Sequence, residues 1–231
     1  MKNPIVAGNI YHILTRGVDK RKIFIDDQDY LRFIHDLFGF NDEKPVINMS
    51  RSFRRGVGMS DIVSPSVAKR ELLVDILAFC LMPNHYHILL RPKSDEGATK
   101  FIRKLNIGYV KYFNEKYKRS GALFEGRFKR ILISDDAHFT YLPYYIHLNP
   151  LDLTMPEWRD GKISDYKKAI NFLENYRWSS FPDYIGKKNF PSVTQRKFLM
   201  DCFGGVERQK AGMINWLKEM DLNEFKHVIL E

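Results

Sequence analysis

The sequence is poor in the features that mark secreted, membrane and fibrous chains. It has two cysteines, Cys80 and Cys202, in 231 residues, too few for a disulfide scaffold and in keeping with reduced thiols in the cytoplasm. No apolar run approaches the roughly 18 residues of a membrane span; the longest is Ile76 to Met82. Behind Lys2, Asn9 and His12 interrupt any signal-peptide core. Ten Pro and 14 Gly exclude a low-complexity chain, and 44% hydrophobic with 14% aromatic residues excludes disorder. Acidic residues are the scarce sign: 28 Asp and Glu face 37 Lys and Arg, leaving a net +9. That balance favours a polyanionic partner, with nucleic acid the leading candidate, and the lack of a long apolar run leaves no membrane expected.

The excess is concentrated. Residues 97–130 hold ten Lys and Arg against Glu115 and Glu125, a net +8 in about a seventh of the chain. Phe101, Tyr109, Tyr112, Phe113, Tyr117, Phe124 and Phe128 are interleaved with the charge. Basic groups grip phosphates and aromatic faces stack unpaired bases, a mixture suited to single strands. The candidate DNA contacts are Lys100, Arg103, Lys104, Lys111, Arg127, Lys129 and Arg130, with Arg16 from the N-terminal strand. Phe101, Leu105 and Phe113 read instead as the buried stripe of a helix.

Hydrophobic periodicity orders the chain as strand, helix, hairpin, helix, strand, helix. Strands are predicted at Ile10–Thr15, Glu71–Met82, His85–Arg91 and Arg127–Ile133, with a Pro83-Asn84 turn inside the hairpin. Helices are predicted from Asp26-Asp27, over Gly97–Lys118, from Ser134 toward Asn149, and at Tyr166–Asn175. The fold class is α/β (α+β): an antiparallel-rich sheet of the split β-α-β, ferredoxin/RRM-like type, backed by helices. Residues 41–70, with Arg51, Arg54 and Arg55, read as an insertion. The main domain is taken as 1–186, and 187–231 as a helical C-terminal extension.

Two local patterns carry chemistry. In Pro83-Asn84-His85-Tyr86-His87, residues two apart on a strand share a face, so two imidazoles converge and can supply two ligands to one divalent metal. The same pair also reads as two unrelated strand histidines. In Tyr144-Tyr145-Ile146-His147-Leu148-Asn149-Pro150, helical spacing puts a phenol, Tyr145, beside an amide, Asn149. One can attack and the other can complete a coordination shell; equally, these are packing aromatics ahead of a proline stop. Tyr141 lies one turn earlier, but Pro143 either kinks the helix or restarts it, and a restart takes Tyr141 off that face. His138 and His147 read as structural histidines.

These two motifs resemble those of the single-tyrosine HUH transposases, especially the REP-associated tyrosine transposases of the insertion-sequence branch. Three further runs occur in that family's order: Tyr11-His12-Ile13-Leu14-Thr15-Arg16-Gly17, Gly121 to Lys129, and Tyr176-Arg177-Trp178-Ser179-Ser180. The resemblance implies an HUH-nuclease-like fold and metal-dependent cleavage of single-stranded DNA at or near a hairpin. It implies Tyr145 as a nucleophile forming a 5′-phosphotyrosine, His85 and His87 as metal ligands, and Asn149 as the third. The donor chemistry suits Mg²⁺ or Mn²⁺. Two alternatives stay open: a non-catalytic single-stranded nucleic-acid binder with an RRM-like sheet, and a domesticated HUH nuclease with a regulatory role. Monomer and homodimer are equally compatible with the sequence.

Overall fold

The computed structural model describes residues 4–44 and 70–219. The expected insertion therefore falls chiefly outside the described residues, with Arg51, Arg54 and Arg55, as does the tail beyond 219. Four strands, β1 (Ile10–Arg16), β2 (Val74–Met82), β3 (His85–Pro92) and β4 (Lys129–Ile133), form one sheet in the order β2-β3-β1-β4. All its pairings are antiparallel. The split arises because α1 (Asp27–Gly39) carries the chain from β1 to the β2 edge, and α2 (Gly97–Lys116) carries it from β3 across to β4.

Strand alternation divides the core in two. Tyr86, Ile88 and Leu90 point to one face, where α1 and α2 bury Phe33, Leu37, Phe101, Leu105 and Tyr109. His85, His87 and Leu89 take the other face, which α3 (Asp136–Leu148) covers together with α4 (Tyr166–Asn175), α5 (Phe181–Tyr184), α6 (Lys197–Phe203) and α7 (Gly205–Glu219). Helices thus back both faces of the sheet. Residues of α7 pack directly on α3: the Trp216 ring lies 5.4 Å from Tyr141, and Met213 is fully buried. Gly212 permits that approach, because a Cβ there would strike the Tyr144 hydroxyl.

The start of α1 is tied to the end of α2 by charge. Asp26 and Asp29 form a capping box, and Lys116 Nζ sits 2.7 Å from both carboxylates. Lys116 is therefore spent inside the fold, although it counts toward the basic excess of 97–130. No helix among the described residues is long and apolar enough to cross a membrane.

The open edge of β2 is closed by the segment that follows α4. Leu81 N–H donates to Trp178 O (2.9 Å), Ser180 N–H to Phe79 O (3.0 Å), and Ile76 N–H to Gln195 Oε1 (2.7 Å). The Trp178 indole stacks on Tyr30 at 4.6 Å and on Phe190 at 6.5 Å, which pins that cover to the core. Trp178→Ala should cost about 3 kcal/mol in urea unfolding, from lost burial and the cavity left. A cost under about 1 kcal/mol would mean the backbone bonds hold the cover without the stack.

Candidate functional site

His85 opens β3 directly after the Pro83-Asn84 turn, and its Nδ1 is held by Asn84 Oδ1 at 2.7 Å. Among the described residues, its buried Nε2 has no hydrogen-bond partner. His87, two residues on, is fully buried, with its ring 4.9 Å from that of His85 and nearly perpendicular to it. A third imidazole joins them. β1 and β3 pair with His12 opposite Leu89 and Leu14 opposite His87, which sets His12 diagonal to His87. His12 Nε2 and His87 Nδ1 share a hydrogen bond of 2.9 Å.

Burial lowers the His85 pKa to about 4, with Arg16 and Arg159 adding to the effect and Asp152 opposing it. His87 is pushed well below the ordinary histidine value, first by burial and then by His85 and His12. Both rings are therefore neutral near pH 7, with nitrogen lone pairs suited to a cation. Among the described residues, no group of three or more His, Cys, Asp or Glu side chains could hold a metal ion. The His85–His87 pair fits as two of the ligands, and the unpartnered buried Nε2 of His85 is the observation that supports it.

On the facing helix, the Asp135 side chain accepts from His138 N–H at 2.8 Å and starts α3. The helix runs through Pro143 without a restart, so Tyr141 stays on the Tyr145 side, ring centroids 5.6 Å apart. Tyr145 is fully buried and points at the sheet. Its ring lies 6.1 Å from His87 and 6.3 Å from His12, edge-on to both. Asn149 caps the helix: its Nδ2 donates to Tyr145 O (2.7 Å), while its Oδ1 accepts from Arg159 Nη2 (3.3 Å). That oxygen has a second lone pair, which leaves it able to act as a third ligand while it accepts from Arg159. The same guanidinium reaches Tyr145 Oη through Nη1 at 3.5 Å.

The structure thus brings His85, His87, Tyr145 and Asn149 to one sheet–helix interface. Arg16 is the strand partner of His85 and lines an open cleft of about 460 Å³ with Lys20, Lys22, Asn84 and Asp152. Lys129 is exposed on the same sheet face, opposite Leu14, whereas Arg130 pairs with Ile13 and faces the other way. Arg127 is exposed just before β4. Lys100, Arg103, Lys104 and Lys111 are not brought to this cluster, because α2 buries Phe101, Leu105 and Tyr109 against the opposite face. Lys104 also donates to the carbonyls of Asp42 and Lys44, and Lys100 pairs with Glu96 at 3.2 Å. His147 bonds Ser180 Oγ at 2.8 Å and its pKa is lowered to about 3 by burial; His138 pairs with Asp135 at 2.6 Å. Both act within the fold.

Three residues of the cluster are absent from the sequence-level candidates: His12, Asp152 and Arg159. Strand alternation alone puts His12 on the face of Ile10 and Leu14, but only the β1–β3 register brings it to His87. Asp152 and Arg159 sit on 3₁₀ turns after α3, Asn149–Leu153 and Pro156–Asp160, where no periodicity announces a site.

Residues 62–149, which include the His pair, Tyr145 and Asn149, match the family described as transposase, IS200-like. A solved structure of a REP-associated tyrosine transposase bound to a REP hairpin aligns with a TM-score of 0.51 at 12% identity, covering 84% of this chain and 88% of that one. The fold is therefore shared with that transposase. No curated protein matches in sequence.

Proposed function

We propose that this chain, which has the fold of a tyrosine transposase and an IS200-like transposase segment, cleaves and rejoins single-stranded DNA at or near hairpins. The observation that carries the reading is the docking of α3 on the sheet: the Tyr145 ring lies 6.1 Å from His87, beside a buried His85 nitrogen with no partner. A sheet–helix pair needs only apolar residues to pack. Three imidazoles, a phenol, an amide and a guanidinium at its centre argue for chemistry there.

In this reading Tyr145 Oη attacks the scissile phosphorus. The Oη–P bond forms as the P–O3′ bond breaks, the phenol proton passes to solvent, and the departing 3′ oxygen takes one up. The 5′ end stays on the protein as an aryl phosphodiester, and the free 3′-hydroxyl can reverse the step on another strand. His85 and His87, with Asn149, would hold a divalent ion, Mg²⁺ or Mn²⁺, whose charge would polarise the phosphate. Asn84 and His12 fix the two rings by their Nδ1 atoms. Arg16, Lys20 and Lys22 offer positive charge along the cleft that ends at His85.

The test incubates purified protein with single-stranded hairpin oligonucleotides and Mg²⁺ or Mn²⁺, followed by a denaturing gel. A covalent protein–DNA band is expected, and chelator should remove it. Hairpin binding without a band on any oligonucleotide would instead support the non-catalytic binder.

A further inference from the structure

Arg159 lies outside every motif, yet it touches both functional groups of the nucleophile helix. Its Nη1 donates to Tyr145 Oη (3.5 Å) and its Nη2 to Asn149 Oδ1 (3.3 Å). Asp152 latches it: Nε donates to Oδ1 at 2.8 Å and Nη2 to Oδ2 at 2.6 Å, a two-pronged ion pair. Trp158 Nε1 donates to the same carboxylate at 2.6 Å, and the guanidinium lies 4.9 Å from the Trp158 ring centroid. The Arg159 and Asp152 side chains are each 25% exposed, so the ion pair reaches solvent while the phenol beside it is buried.

We propose that Arg159, held by Asp152, is a positioning residue for strand cleavage: it aims the Tyr145 oxygen and presents a guanidinium to the scissile phosphate as it arrives. This rests on Tyr145 being the nucleophile. An ion pair that only stiffened the 3₁₀ turns would need Asp152 and Arg159 alone. Here the planar fork also spans the phenol and the amide, a geometry that a point charge cannot reproduce. In the cleavage step, negative charge spreads over the phosphoryl oxygens while the Oη–P bond forms and the P–O3′ bond breaks. A fixed cation beside Oη meets that charge without reorganising. As phosphate enters, Nη2 can exchange Asn149 for a phosphoryl oxygen while Asp152 keeps the guanidinium in place.

The experiment compares wild type, Tyr145→Phe, Arg159→Gln, Arg159→Lys and Arg159→Ala. Single-turnover cleavage of a hairpin oligonucleotide with Mn²⁺ is measured alongside oligonucleotide affinity and thermal unfolding. Arg159→Gln should cleave about 100-fold more slowly, the usual cost of losing one aimed donor, with affinity within roughly threefold of wild type. Arg159→Lys should recover only part of the rate, and millimolar guanidinium should accelerate Arg159→Ala. A structural role would give neither the separation of rate from affinity nor the rescue. Arg159→Gln cleaving like wild type, rate and affinity falling in parallel, or unfolding of every Arg159 variant would each overturn the proposal. If wild type forms no adduct, or Tyr145→Phe keeps it, the reading of the nucleophile fails and this proposal falls with it. A wild-type adduct that needs Tyr145 but ignores Arg159 sinks this inference alone.

Discussion

Tyr145→Phe should abolish the covalent protein–DNA adduct while the protein keeps its fold and its grip on the hairpin. The substitution removes one oxygen. The ring keeps its packing against Tyr141 at 5.6 Å, Trp158 at 6.2 Å and the two imidazoles. Arg159 donates to Oη across a long 3.5 Å. Stability should therefore change by under about 1 kcal/mol. The chemistry has no such reserve, because a phosphotyrosine cannot form without the hydroxyl. Single-turnover cleavage should fall by about 10⁴-fold or more, as when a catalytic nucleophile is deleted elsewhere. Tyr141, one turn earlier on the same side of α3, is the internal control: Tyr141→Phe should leave the adduct in place. A band that survives Tyr145→Phe and disappears in Tyr141→Phe would move the nucleophile by one turn.

Much of the fold was legible because it is locally encoded. In β3 the alternation of His85, His87 and Leu89 with Tyr86, Ile88 and Leu90 marks two buried faces, and both are found. Asp26 and Asp135 cap α1 and α3 where acidic residues precede apolar periodicity. Pro143 does not restart the helix. It lacks the N–H that would bond Phe139, but Tyr141, Leu142, Tyr144, Tyr145 and Ile146 around it are all buried, and their packing holds the helix together. The strand expected from Glu71 begins at Val74, where pairing with Pro92 starts. Edge closure of β2 by residues near Trp178 depends on contacts about a hundred positions apart, which no local window contains.

The site divides the same way. His85 with His87, and Tyr145 with Asn149, are pairs fixed by one strand period and one helix turn, and each could be read without a partner element. His12 required the β1–β3 register. Asp152 and Arg159 required the path of irregular 3₁₀ turns, where spacing says nothing about direction. Charge density along the chain is equally silent about direction: α2 carries Lys100, Arg103, Lys104 and Lys111 on the face away from the histidines, whereas Arg16 and Lys129 share the histidine face.

Removing either imidazole should separate cleavage from binding. His85→Ala deletes a buried ring whose Nδ1 bonds its neighbour Asn84, so the cavity left should cost about 1–2 kcal/mol. His87→Ala also breaks the bond to His12 at 2.9 Å and leaves a cavity, at a cost of about 2 kcal/mol, so His87→Gln serves as the volume-retaining variant. In all three, calorimetric titration with Mn²⁺ should lose at least about tenfold in affinity, and cleavage should fall at least about 100-fold. Hairpin affinity measured with chelator present should stay within roughly threefold, because Arg16, Lys20 and Lys22 are untouched. The three measurements discriminate among causes. Loss of cleavage with intact Mn²⁺ binding would make the histidines shape the phenol's surroundings and not ligands. Cleavage that persists at wild-type rate would remove them from the reaction, and would leave Tyr145 facing a sheet whose imidazoles serve only packing.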